Sequence, residues 1–70
     1  MRGIIEAAIP GARAEVAGGG GHYTISVTAA AFAGRSLIEQ QRMVYSAITE
    51  LMRGDDAPIH AVDKLTTRSA

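Results

Sequence analysis

Four consecutive glycines occupy positions 18–21, and both flanks alternate between apolar and polar side chains. Before the tract, Ala12, Ala14 and Val16 alternate with Arg13 and Glu15; after it, Tyr23, Ile25, Val27 and Ala29 alternate with Thr24, Ser26 and Thr28. A period of two marks a strand that buries one face. The first half of the chain is therefore expected to hold a weak strand over 12–17, a flexible glycine connection and a stronger strand over 23–29. That alternation places His22 on the polar face with Thr24 and Ser26, accessible at the strand's first residue.

The remaining segments read as follows. Ile4, Ile5, Ala8 and Ile9 share one helical face, which predicts a short amphipathic helix over 1–9 stopped by Pro10-Gly11. Ser36-Leu37-Ile38-Glu39 has capping-box spacing and predicts a helix start. Leu37, Ile38, Val44, Tyr45, Ile48, Leu51 and Met52 recur at helical spacing as far as Gly54, a natural stop, with Val44, Tyr45, Ile48 and Leu51 expected against the sheet. Glu39, Gln40, Arg42, Thr49 and Glu50 are expected mostly to face water. Residues 55–58 read as a turn and 59–66 as a last strand. The expected order is α-β-β-α-β: one small α+β domain, without repeats or linkers.

Seventy residues bury too little surface to enclose a large cavity. The absence of cysteine excludes a disulfide framework and any thiolate of the chain's own for zinc or an iron–sulfur cluster. A metal must then rely on His22, His60, carboxylates or ligands from a partner. Seven basic residues balance seven acidic ones, so the broad positive field of most nucleic-acid binders is missing. No run approaches the roughly 20 apolar residues of a membrane-spanning helix, and no signal peptide is evident at the N-terminus. The expectation is a soluble cytoplasmic protein with no membrane partner.

The glycine tract invites a phosphate-cradle reading, but a strand rather than a helix follows it, and Gly-Lys-Ser/Thr occurs nowhere. It also satisfies G-x-x-G, the signature of the KH RNA-binding loop, yet that loop joins helices and this one joins strands. Ser26, Ser36, Ser46 and Ser69 lack a nucleophile setting, and Asp55-Asp56 reads as a solvated turn. With neither H-E-x-x-H nor a nucleophile elbow, the chain is not expected to be an enzyme. His22 and His60 remain, and two imidazoles alone coordinate a metal poorly, so any metal would be shared.

Taken in order, His22-Tyr23 opening an alternating strand, Phe32-Ala33-Gly34-Arg35-Ser36-Leu37, Val44-Tyr45 in the long helix and Ile59-His60-Ala61-Val62 resemble the BolA family, most closely its short bacterial branch, over residues 4–66. The resemblance implies a class II KH-like domain, three strands in one sheet with helices packed on it. It also implies pairing with a monothiol glutaredoxin around a shared two-iron, two-sulfur cluster, in iron homeostasis or cluster trafficking. The glutaredoxin cysteine and a glutathione thiol would ligate one side, and the BolA-like partner would supply a C-terminal histidine. That ligand falls on His60. Some members add a Cys or His from the hairpin, for which His22 is the local candidate. Without a thiolate the isolated protein is expected to carry no cofactor.

Two segments depart from the family pattern. Gln40-Gln41-Arg42-Met43 stands where a histidine is usual, and Asp63-Lys64 interrupts the last strand, which is expected to be shorter or shifted. The rival reading is a DNA-binding transcriptional regulator with Arg35, Arg42 and Arg53 as a basic helix face. Glu39 and Glu50 share that helix, and the zero net charge predicts weak DNA affinity. A third reading is a small interaction domain that docks a partner without a cluster, and a homodimer is a further candidate partner.

Overall fold

The computed structural model describes residues 2–53 and 59–70. Helix α1 (Arg2–Ala8) leads to strand β1 (Arg13–Gly19) and strand β2 (His22–Ala29). A 3-10 turn (Ala30–Phe32) then reaches helix α2 (Leu37–Ile48), a second 3-10 turn (Thr49–Met52) and strand β3 (Ala61–Ser69). The α-β-β-α-β order is the expected one. β2 is the central strand of a single sheet, antiparallel to β1 and parallel to β3.

The hairpin turns on Gly20-Gly21, whose φ angles of 62° and 85° lie in the left-handed region. Two positive φ values are what a tight two-residue hairpin with matching strand twist requires, and glycine adopts them without a Cβ clash. Gly18 and Gly19 belong to β1, which is longer than its apolar alternation suggested.

The core lies on one face of the sheet. Ala14, Ile25, Val27 and Ala29 meet Ile5 and Ile9 from α1, Phe32 from the first 3-10 turn, Val44 and Ile48 from α2, and Ile59. Ile4 and Ala8, grouped with Ile5 and Ile9 by periodicity, are exposed. The α2 stripe is also narrower than its sequence suggested. Tyr45 is 39% exposed and Leu37 and Ile38 are 59% exposed, because a three-stranded sheet shared with α1 fully buries the Val44–Ile48 ridge and takes only Met43, Leu51 and Met52 beside it. Gln40 does not simply face water. Its amide donates to the Arg35 carbonyl at 2.9 Å and the Phe32 carbonyl at 3.4 Å, and its carbonyl accepts from the Thr67 hydroxyl at 2.8 Å. One side chain thus ties the first 3-10 turn, α2 and β3 together.

The helix start is as predicted. The Ser36 hydroxyl accepts from the Glu39 amide and the Glu39 carboxylate from the Ser36 amide, both at 3.2 Å. Ser36→Ala should lower stability by about 1 kcal/mol, read as a lower denaturant midpoint with an unchanged slope; an unchanged midpoint would remove the cap from the account. The predicted stop at Gly54 and the turn at 55–58, including Asp55-Asp56, lie outside the described residues.

The last strand begins later and runs further than expected. Its pairing passes from Tyr23↔Val62 to Thr24↔Lys64, so Asp63 is the extra residue of a β-bulge. The bulge resets the alternation: Val62 and Leu65 face the core, while Lys64 is exposed. Without it Lys64 would point inward, which explains why a charged pair is tolerated in this strand.

At the outer edge of β1 the Glu6 carboxylate accepts from the Ala14 amide at 3.0 Å. That bond, with Arg2 beside it, holds the Glu6 pKa below its ordinary value of 4.5. A lowered folded-state pKa stabilises the fold above the unfolded value, and this contribution disappears as pH falls through the folded value. Glu6→Ala should therefore narrow the stability gap between neutral and acidic pH below 4.5, measured by urea unfolding across that range; an unaltered acid limb would contradict the edge contact.

Candidate functional site

The backbone segments that carry His22 and His60 meet at the turn end of the sheet, although the two residues lie far apart in sequence. The Gly21 carbonyl accepts from the amides of His60 at 2.7 Å and Ala61 at 2.9 Å, and Ala61 is the register partner of His22. Both histidines are exposed. The His60 ring rests against the Gly21 α-carbon, where any Cβ would overlap the imidazole. The glycine tract therefore serves as more than a flexible connection, since Gly21 is both the turn residue and the seat of His60.

The two imidazoles differ in their surroundings. His22 Nδ1 lies 3.3 Å from Asp63 Oδ1. An ionised carboxylate only accepts, so the contact selects the Nδ1–H form and leaves the Nε2 lone pair for a metal or a donor. Both side chains are about 60% exposed (60% and 59%), so the contact orients the ring with little effect on stability. Asp63 reaches His22 because it is the bulge residue. No described residue hydrogen-bonds a ring nitrogen of His60, whose ring meets Gly21 through Cδ2 and Cγ.

Among the described residues no group of three or more His, Cys, Asp or Glu side chains is placed to hold a metal ion. Within these residues the two imidazoles do not form a closed site belonging to this chain.

The arginines of the nucleic-acid reading do not form one free basic face. Arg35 is 3.7 Å from Glu39 and also donates to the Ala31 carbonyl, and Arg53 is 3.4 Å from Glu50. Arg42 is exposed on α2, at the rim of a groove with Ala8, Ile9, Met43 and Ser46. Among the described residues no helix is long and apolar enough to cross a membrane.

An α+β domain with two helices on a three-stranded sheet is the architecture of solved BolA proteins. The sequence matches the BolA family, described as BolA-like protein, over residues 6–69. The chain belongs to the BolA family. Similar solved structures include a BolA protein homologue from Coxiella burnetii, at TM-score 0.80 and 29% identity, with 97% of this chain and 83% of that one covered. The BolA1 protein from Mus musculus aligns at TM-score 0.71 and 26% identity over 97% of this chain and 60% of its own. A BolA-like hypothetical protein from Rickettsia prowazekii aligns at TM-score 0.66 and 25% identity over 97% and 87%. Comparison with curated proteins gives no match.

Proposed function

We propose that this protein is a non-enzymatic adaptor that docks on a monothiol glutaredoxin and contributes His60 to a shared two-iron, two-sulfur cluster. The observation that carries the proposal is an exposed imidazole with no hydrogen-bond partner among the described residues, anchored through its backbone to the turn that precedes a second imidazole. Membership of the BolA family supports the same reading.

Within the adaptor each part has a defined role. The two amide bonds to Gly21 hold the His60 backbone, and the contact with the Gly21 α-carbon limits where the ring can turn. His22 lies on the neighbouring strand with its Nε2 lone pair available, as a second ligand. The partner's cysteine and glutathione would supply the thiolates this chain lacks. Neutral imidazole in place of thiolate makes a cluster less negative, raises its potential and allows release on protonation, properties suited to transfer or sensing in iron homeostasis.

The test is reconstitution of the protein with a monothiol glutaredoxin, glutathione, iron and sulfide. A mixed complex is expected, with visible absorption and circular dichroism distinct from those of the glutaredoxin homodimer. A spectrum equal to that of the homodimer, with the two proteins eluting apart, would refute the adaptor role.

A further inference from the structure

The sheet face opposite the core carries a second organised set of side chains. Arg13, Thr28 and Arg68 form one cross-strand row, Arg13 pairing with Thr28 and Thr28 with Arg68. The next row toward the hairpin is Glu15, Ser26 and Thr66. These six side chains line a shallow concavity of about 230 Å³.

Neighbouring strands lie about 4.8 Å apart, so the two arginine backbones are separated by roughly 10 Å with the Thr28 hydroxyl between them. Arg2, Arg35 and Arg53 each sit within 4.0 Å of a carboxylate, whereas neither Arg13 nor Arg68 does so among the described residues. The Ser26, Thr28 and Thr66 hydroxyls likewise have no described protein partner. Two guanidiniums outside salt-bridge range of any described carboxylate, with Glu6 only a longer-range counter-charge to Arg13, flank the Thr28 hydroxyl, so that an anion between them gains charge-assisted contacts from both arginines.

We propose that this open face binds a dianionic phosphate monoester or free phosphate, held between Arg13 and Arg68 above Thr28. The planar guanidinium fork matches the oxygens of a phosphate, and two forks on opposite strands match a doubly charged group. Glu15 borders the concavity on the hairpin side. A nucleic-acid backbone running along β2 would place a phosphate over that carboxylate, whereas a single phosphate group held at the arginine row avoids it. This site is separate from the two histidines and does not depend on the cluster.

The experiment is an amide NMR titration of the 15N-labelled protein with inorganic phosphate, with chloride exchanged to keep ionic strength constant. A parallel titration uses a DNA duplex without terminal phosphates. Phosphate should produce saturable shifts at Arg13, Thr28 and Arg68, and Arg13→Gln or Arg68→Gln should each weaken binding by about tenfold through loss of one charge-assisted fork. Glu15→Gln should strengthen it several-fold by removing the carboxylate that lines the concavity. All three residues are exposed, and dispersed spectra will establish that the variants are folded. Shifts that do not saturate, that spread equally to Arg42, or that survive both arginine substitutions would overturn the proposal. So would a duplex that perturbs this row when phosphate does not.

Discussion

His60→Ala is expected to abolish the mixed-cluster spectrum while leaving the fold intact. The ring is exposed and contacts Gly21, so its removal opens no cavity in the core formed by Phe32, Ile25 and Val44. The effect on the site is far larger. No described side chain is placed to complete a set of three metal-binding groups, so none replaces the lost imidazole. His22→Ala should do less: the cluster still assembles with His60 but is lost roughly tenfold faster, the scale on which supporting residues alter metal affinity. Visible circular dichroism of the reconstituted complexes, after far-ultraviolet spectra establish folding, separates these outcomes. A folded His60→Ala protein with the full spectrum and lifetime, beside a His22→Ala protein that has lost both, would reverse the two roles.

Gly21→Ala should damage fold and site together, and Gly20→Ala should damage neither to the same extent. Both glycines have positive φ, at 85° and 62°, but the space at Gly20 is open whereas a Cβ on Gly21 meets the His60 ring. Gly20→Ala therefore incurs the backbone term alone, about 1 kcal/mol. Gly21→Ala adds the steric conflict, for a total of about 2–4 kcal/mol. Relief of that conflict requires the imidazole to move, so the reconstituted Gly21→Ala complex should also lose its mixed spectrum. Denaturation midpoints and circular dichroism of the two variants provide the comparison. Equal stability losses, with native cluster spectra in both, would show that Gly21 does not seat His60.

Features of the fold determined by neighbouring residues were legible in the sequence. Alternation on both sides of the glycines revealed the hairpin and placed His22 at its exposed end, and Ser36-x-x-Glu39 revealed the start of α2. Features that need distant residues in register were not. Asp63 read as an interruption of the last strand because its role as a bulge depends on pairing with Tyr23 and Thr24. Its contact with His22 spans 41 positions and exists only through that bulge. Gln40 read as a solvated helix residue because Thr67, 27 positions away, supplies its partner. Tyr45 shares the apolar period of α2, but the sheet's width decides how much of that stripe is covered. The row of Arg13, Thr28 and Arg68 likewise arises from strand order alone, with β2 between β1 and β3.

The proposed adaptor role requires that an imidazole of this chain bind iron in a complex with glutaredoxin. The most direct measurement is pulsed electron paramagnetic resonance of the reduced mixed complex, prepared with 15N-histidine only in this protein. The account predicts a strongly coupled 15N nucleus that disappears with His60→Ala in any cluster that remains. A mixed complex whose reduced cluster shows no coupled nitrogen from this chain would contradict it.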